Sequence, residues 1–190
     1  MPLDTNALTS VANLEEVLGD IEDALAINLI NRASDIIENY CDRSFKSATY
    51  TNEVYDGTGS KVLTLKQYPV STFTQLDERN TDLNENSWTT IGSSNYQVDT
   101  DAGIIYLVDG SEFRDAIRVY RATYTAGYST IPDDLEHASI TLAVHLYNTR
   151  RGQEAKAESI GDYSITYGDV KTIRDLGLDL ILDKYKKPVL

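Results

Sequence analysis

Apolar and polar positions near the start of the chain repeat with the period of an α-helix. Asn13 precedes the stretch LEEVLGD and Glu16 follows three residues later, a capping-box pattern that predicts a short helix ending near Gly19. A second helix is predicted from about Glu22 to Cys41, because its apolar residues recur at helical spacing: Ile30, Ala33, Ile37 and Tyr40. The chain therefore opens with two amphipathic helices.

From Ala48 to about Ala126 the pattern changes to the alternation that is typical of β-strands. TYTNEVYDG and KVLTL flank the turn sequence DGTGS, which predicts a hairpin. Further short strands are predicted in VSTFTQLDE, WTTI, YQVD and GIIYLV. The strongest strand prediction is AIRVYRATYTAG, in which Ile117, Val119 and Ala122 or Tyr124 alternate with Arg118, Tyr120 and Arg121.

Helical spacing returns after residue 130. IPDDLEHASITLAVHLYNTRR predicts a helix with Pro132 in its first turn, Gly152 as its stop and a buried stripe of Leu135, Ala138, Leu142 and Leu146. VKTIRDLGLDLILDKY predicts a last helix with Ile173, Leu176, Leu180 and Ile181 on its buried side. Between them, ESIGDYSITYGD (Glu158 to Asp169) alternates like a half-buried strand, yet no partner strand adjoins it in sequence.

Strands bracketed by helices predict an α+β fold, in which a helical core from both chain ends carries an inserted antiparallel β module. Residues 1–47 are expected to form the first helices of the core and residues 48–130 the β module. Residues 131–190 supply the last helices, with an interaction strand or loop at 152–169.

Composition narrows the classes of function. The net charge of −13 argues against a protein that wraps phosphates, but it suits a surface past which DNA must slide without sticking. The single cysteine excludes a disulfide framework within the chain and indicates a reducing compartment. MPLDTNALTS lacks the features of a signal peptide, and no apolar run approaches the ~20 residues of a membrane span. We therefore expect a soluble, cytoplasmic protein with no membrane partner.

Side chains that could carry chemistry form no convincing catalytic, cofactor or metal site. Cys41 is expected to be a buried small hydrophobe rather than a nucleophile, because thiol reactivity needs an accessible, electropositive setting. His137 and His145 are eight residues apart, too far for a metal pair on one helical face, and His137 is better placed for an ion pair with Asp133. DTDAG and DGTGSK miss the spacing of calcium and phosphate loops and are predicted to be turns.

Four stretches together resemble the tailed bacteriophage head–tail connector (adaptor) family. LINRASDIIENYCDRSF (Leu29 to Phe45) is similar to the family's first long helix, which it matches at Ile30, Ala33, Ser34, Ile37, Glu38, Tyr40, Arg43 and Phe45. YPV (Tyr68 to Val70) resembles the pivot before the second part of the sheet. Thr123 to Gly152 resembles the strand, Gly-Tyr turn, Pro-initiated helix and Y-N-x-R end, and ESIGDYSITYGD resembles the segment that follows.

The resemblance implies a structural virion protein of the neck, assembled in the host cytoplasm, with no enzymatic activity and no cofactor. Its subunits would form a ring of about twelve copies under the portal protein. That ring would extend the channel for double-stranded DNA and provide the platform for a downstream neck or tail protein. Tyr163, Ile165 and Tyr167 would pair by edge addition with an adjacent subunit or neck protein. The basic tail at Lys184, Lys186 and Lys187 would bind an acidic portal surface.

Three alternatives remain open from the sequence. Another neck component, a stopper or tail-completion protein, shares the same composition. An acidic DNA-mimic inhibitor of a host enzyme would also be negative, but its carboxylates would follow one strip, whereas here they are spread over helices and loops. A small hydrolase would need a nucleophile–base pair, and no recognisable one is present in the sequence.

Overall fold

A computed structural model of the chain describes residues 2–80, 87–155 and 173–186. The chain divides into two compact units: a helical unit of residues 1–46 and 130–190, and a β unit of residues 47–129. Helices occupy the first unit and antiparallel sheets the second, which confirms the predicted α+β fold with a β module inserted between the two ends of a helical core.

The first helix, α1 (Val11–Leu18), begins earlier than the capping pattern predicts. Ser10 is the N-cap residue, because its side-chain oxygen accepts a hydrogen bond from the Asn13 backbone N–H at 3.2 Å. Asn13 therefore lies inside the first turn, and its predicted role as the cap is wrong. The helix ends before Gly19, as expected, where φ of +77° favours a residue without Cβ.

The long helix α2 (Asp23–Cys41) matches its predicted bounds. Ile30, Ala33 and Ile37 are fully buried, as their spacing predicts. An N-terminal arm crosses this helix through hydrogen bonds from backbone N–H groups to its side chains: Asp4 to Asn31 and Leu8 to Ser34, both at 3.0 Å. Because Ala7 and Leu8 are also buried, the arm is part of the helical core.

The third helix, α3 (Asp133–Ala155), packs against α2 and continues past its predicted stop. Leu135, Ala138 and Leu142 are buried as predicted. Gly152 does not end the helix; a glycine within a helix costs about 1 kcal/mol relative to alanine, too little to stop a long helix by itself.

The C-terminal segment, residues 173–186, departs most from its predicted helix. Only Asp179–Leu182 (α4) is α-helical, followed by a 3₁₀ turn at Asp183–Tyr185. Gly177 has φ of +70°, which interrupts the helical path. The interruption changes which side chains face inward: Leu178 and Leu182 are buried, whereas Leu180 is 78% exposed. The predicted stripe is therefore wrong at Leu180, whereas Ile173, Leu176 and Ile181 are partly buried.

The β unit holds seven strands in two antiparallel sheets within the described residues. The strands are β1 (Ala48–Tyr55), β2 (Val62–Thr64), β3 (Val70–Arg79), β4 (Trp88–Thr90), β5 (Tyr96–Asp99), β6 (Ile104–Leu107) and β7 (Tyr120–Ala126). One sheet has the order β1-β7-β3-β4 and the other β2-β6-β5. Their inner faces enclose one apolar core that includes Leu65, Leu76, Ile105, Phe113 and Tyr124.

The predicted hairpin between the first two strands is wrong, because β1 pairs with β7 and β2 with β6. Long-range aromatic contacts explain this pairing: the Tyr50 ring stacks on Tyr124 at 5.3 Å, and the Tyr55 and Tyr124 hydroxyls are 2.8 Å apart. Local turn residues therefore had less influence than burial of these rings. In contrast, YQVD and GIIYLV form the β5–β6 hairpin around the predicted turn.

The strand β7 is present but begins later than predicted. Arg118 has φ of +55° and Ile117 is 80% exposed, so the strand starts at Tyr120. Tyr120, Ala122, Tyr124 and Ala126 face the core, which corrects the predicted outward position of Tyr120. In the part of the chain that the structure describes, no helix is both long and apolar enough to span a membrane.

Candidate assembly surfaces of the helical unit

Some of the residues predicted to bind other proteins lie within the described part of the chain, and others lie outside it. Tyr163, Ile165, Tyr167 and Lys187 lie outside the described residues. Lys184 and Lys186 lie in the C-terminal segment, so the start of the predicted portal-binding tail can be described in detail. The packing of that segment on α2 and α3 determines which groups these two lysines contact.

Two leucines attach the C-terminal segment to the helical core. Leu182 is 0% exposed and Leu178 is 3% exposed. The Leu182 carbonyl lies 3.6 Å from the Cys41 sulfur at the end of α2. Burial raises the pKa of the Cys41 thiol to about 11. This cysteine is therefore a protonated packing residue, as its sequence position predicts.

A carboxylate in the first turn of α3 holds the end of the segment. The Tyr185 hydroxyl donates a hydrogen bond to Asp134 at 2.6 Å, and the Lys184 ammonium lies 3.5 Å from the same carboxylate. Partial desolvation opposes ionisation of Asp134, but the hydrogen bonds from Tyr185 and Lys184 outweigh it and hold its pKa below the ordinary value. The Tyr185 ring also meets Phe45 edge-on, with centroids 5.9 Å apart.

The second lysine of the tail is held by a carboxylate and an aromatic ring. Lys186 lies 2.8 Å from Asp183 and its ammonium sits 4.0 Å from the centre of the Tyr40 ring. The Tyr40 hydroxyl donates to the same carboxylate at 2.8 Å. Hydrogen bonds from Lys186 and then Tyr40 lower the pKa of Asp183. Sequence reasoning identified the lysines but missed Asp134, because nothing local to the tail identifies a partner about fifty residues away. It also missed Asp183, although an aspartate three residues before Lys186 is a local signal for an ion pair.

A second surface feature of this unit is a groove between the first half of α2 and the second half of α3. Its volume is about 510 Å³. Leucines form its apolar lining, two uncharged polar residues adjoin them, and two arginines stand at its edge: Leu25, Leu29 and Leu146, Asn28 and Thr149, Arg32 and Arg150. Both arginines are exposed. The groove combines apolar surface with positive charge on a chain whose overall charge is strongly negative.

Metal-binding chemistry finds no support among the described residues, because no group of three or more His, Cys, Asp and Glu side chains is placed to hold an ion. DTDAG forms the tight turn between β5 and β6, where the Asp99 carboxylate accepts backbone hydrogen bonds from Asp101 and Ala102. His145 lies 3.4 Å from the Thr149 hydroxyl, one turn further along α3. The Asp99 carboxylate therefore stabilises a turn, and the His145 ring contacts a side chain of its own helix.

The comparisons with known proteins agree with the predicted resemblance. A family model described as Head completion protein matches residues 8–187. Comparison with curated protein sequences gives no match.

Solved structures with a similar fold include chains of gene transfer agent (GTA) particles. A chain in the neck of an empty GTA particle, computed with C6 symmetry, has a TM-score of 0.61 and 18% identity over 100% of this chain and 94% of that one. A chain in the virion of a native GTA particle has a TM-score of 0.59 and 16% identity over 100% of this chain and 95% of that one. A chain in the neck of a native GTA particle, computed with C12 symmetry, has a TM-score of 0.57 and 17% identity over 100% of this chain and 94% of that one.

The family match extends over nearly the whole chain, through both the helical unit and the β unit. The predicted relationship to the head–tail connector proteins of phage-like particles is thereby confirmed. The chain belongs to the head completion protein family.

Proposed function

We propose that this protein is an adaptor subunit that forms a ring of about twelve copies beneath the portal. The observation that carries the proposal is the full-length fold match to chains in particle necks. Those necks were computed with C6 and C12 symmetry, and twelve copies are compatible with both. The ring would extend the DNA channel and present a platform for the next neck or tail protein. It would assemble in the host cytoplasm and catalyse no reaction.

The charge of the chain supports a conduit for DNA. Double-stranded DNA binds proteins chiefly through phosphate contacts with Lys and Arg, and each such contact releases counterions. A subunit with net charge −13 lacks the excess of cations that would retain the passing duplex. A ring of such subunits would therefore allow passage with weak contact. Membership of a structural family also favours this role over a hydrolase or a DNA-mimic inhibitor.

The C-terminal tail is the proposed contact with the portal. The described part of the tail keeps a fixed path, because Leu182 is buried and Tyr185 is bonded to Asp134. Lys184 remains 64% exposed and Lys186 42% exposed, so both ammonium groups stay accessible to an acidic partner surface while they contact Asp134 and Asp183. Lys187 continues this basic run in sequence.

Lysine-to-glutamine variants test the portal contact without reversing charge inside the segment. We expect the combined change Lys184→Gln, Lys186→Gln and Lys187→Gln to weaken binding to purified portal most at low salt, because screening already weakens the wild-type contact at high salt. Lys61→Gln, at an exposed position in the β unit, is a control for the loss of a single lysine charge outside the tail. Binding unchanged at two salt concentrations would remove the tail from the proposal.

The segment around Tyr163, Ile165 and Tyr167 is proposed to pair with an adjacent subunit or neck protein, on the strength of its alternation alone. Replacing Ile165 by proline would remove one backbone donor and disfavour the paired strand. We expect Ile165→Pro to reduce ring formation on the portal, with Ile165→Ala as the control for loss of the side chain. Equal assembly of the proline variant and wild type would contradict the pairing.

The role in the particle is tested by removing the protein during assembly. Particles made without this chain should contain heads that fail to join tails, and supply of the protein in trans should restore joining. The restored particles should carry the protein in the neck. Tailed, infectious or DNA-delivering particles made in its absence would contradict the proposed function.

A further inference from the structure

The groove of the helical unit has the chemistry of a site for an acidic amphipathic helix. Leu29 is only 6% exposed and lies deepest, while Leu25 and Leu146 are half-buried and offer apolar surface. A volume of about 510 Å³ is large enough to admit side chains of an incoming segment. Helix-in-groove recognition uses such an apolar lining together with charges at the edge.

One of the two arginines, Arg32, is unpaired within the part of the chain that the structure describes. Arg32 makes no hydrogen bond or ion pair with any residue that the structure describes. Its backbone lies nine residues beyond Asp23 along α2, a rise of about 13.5 Å, which exceeds the Debye length of about 8 Å at physiological salt. The carboxylates that precede α2 are therefore too far along the helix to neutralise Arg32, and Asp35, one turn further along, accepts a hydrogen bond from the Asn6 side-chain amide instead. A carboxylate from outside the subunit would find an unpaired guanidinium there.

The same unit carries a helix with the complementary chemistry. Residues 14–23 contain five carboxylates and no basic residue. Leu14 is buried, whereas Val17 is 59% exposed, and Glu16 and Asp20 are exposed beside it. The exposed end of α1 thus presents Val17 next to Glu16, and Asp20 follows just beyond the Gly19 that ends the helix.

The groove and the arm leading into α1 use different faces of α2. The arm bonds to Asn31 and Ser34, whereas the groove is lined by Leu25, Asn28 and Arg32. At 100° per residue, the groove positions lie about a third of a turn away from the arm positions. Two different surfaces that fit each other make a heterologous contact, and contacts of that kind generate closed rings when the rotation closes.

We propose that the groove receives α1 of a neighbouring copy, with Val17 against the leucines and Glu16 and Asp20 facing Arg32. This inference rests on the proposed ring and names the contact that links its subunits. Every subunit would use its groove toward one neighbour and its α1 toward the other. Because the contact pairs opposite charges, each subunit in the ring would keep its net charge of −13.

Cysteine cross-linking tests the contact directly. The only native cysteine, Cys41, is buried and protonated near neutral pH, so it stays inert toward a short bis-maleimide. We expect the double variant Val17→Cys with Asn28→Cys to give a ladder of covalent oligomers after assembly on the portal. A 1:1 mixture of the two single variants should give covalent dimers only, and this mixture also excludes links within one chain.

Charge reversal gives a second, independent readout. We expect Arg32→Glu to raise the concentration needed for assembly about tenfold or more, because an attractive pair becomes repulsive at every interface. Glu16→Lys with Asp20→Lys should weaken assembly similarly, and the two sets combined should recover it. Lys61→Glu, at an exposed position in the β unit, is the control for charge reversal and should assemble like wild type.

The outcomes separate this contact from the ring itself. If wild-type protein forms the ring but neither cross-links nor responds to charge reversal, the groove contact is wrong and the proposed function stands. If Asn28→Cys links to portal instead of to a second copy, another protein occupies the groove and the inference is overturned. If wild-type protein forms no ring on the portal, the proposed function fails and the inter-subunit contact with it.

Discussion

Truncation of Leu182 tests how the C-terminal segment is attached to the helical core. Leu182 is 0% exposed, so Leu182→Ala removes a fully buried side chain and leaves a cavity, a change that costs about 2–5 kcal/mol. Leu180, two residues earlier, is 78% exposed, so Leu180→Ala removes side chain that is mostly in water already. We expect the control to change the free energy of unfolding by less than about 0.5 kcal/mol.

Chemical denaturation and hydrogen exchange measure the two variants on the same segment. The Leu182 amide bonds to the Leu178 carbonyl at 2.9 Å, so its exchange reports opening of the segment. A loss of 2 kcal/mol or more corresponds to about 30-fold faster exchange at this amide. Equal effects of Leu180→Ala and Leu182→Ala, or a larger effect at Leu180, would refute the described orientation of α4 and favour the regular helix expected from the sequence.

Three further changes test contacts elsewhere in the chain. Arg121→Ala should destabilise the protein by about 3 kcal/mol in denaturant titrations, because Asp77 is 2% exposed and loses the guanidinium that lies 2.7 Å away. Gly57→Ala should lower the melting temperature, because the added Cβ would lie 1.7 Å from a backbone carbonyl oxygen. The contribution of the ionised Asp134 to the free energy of unfolding should be complete above about pH 3.9, the pKa in the unfolded chain, and should be lost as the pH falls through the lower pKa of the folded chain. Hydrogen exchange in the C-terminal segment should show this loss, and Asp134→Asn should abolish the pH dependence.

Each of these changes has a control or an opposing result. Arg118→Ala removes an arginine at an exposed position and should cost little, so equal losses for Arg118 and Arg121 would contradict the role of the buried pair. Gly92→Ala places Cβ at an ordinary 3.8 Å contact, so a wild-type melting temperature for Gly57→Ala or a loss for Gly92→Ala would contradict the packing. Exchange that slows as the pH falls, after correction for the intrinsic rate, would contradict the sign assigned to Asp134.

The elements with strong local signals were predictable from sequence. The helical spacing of Ile30, Ala33 and Ile37 gave α2 its correct bounds, because one face of that helix is continuously buried. The start of α3 after Pro132 also followed from local preferences. In both cases, propensity, capping and burial agree with one another.

Errors arose where distant contacts or backbone conformation decided the structure. The β1 partner depends on Tyr124, some seventy residues away, so the turn sequence beside β1 predicted the wrong hairpin. At the C-terminus, Gly177 adopts positive φ, and the buried positions shift to Leu178 and Leu182. Periodicity alone cannot show that a glycine will interrupt a helix rather than continue it, and Gly152 in α3 shows the opposite outcome.

The candidate surfaces show the same division. The basic tail was visible as a run of lysines, and Asp183 adjoins it in sequence, but Asp134 reaches its first part only through the fold. The groove required Leu29 and Leu146, which are more than one hundred residues apart in sequence, to meet between two antiparallel helices. Long-range packing of this kind has no local signature.

The mass of the protein with and without purified portal, measured by light scattering, tests the central claim most directly. The account predicts that the portal particle gains about twelve subunits of 21.2 kDa and that excess protein remains unbound. A portal mass that stays unchanged at every protein concentration and salt condition would contradict the proposed ring.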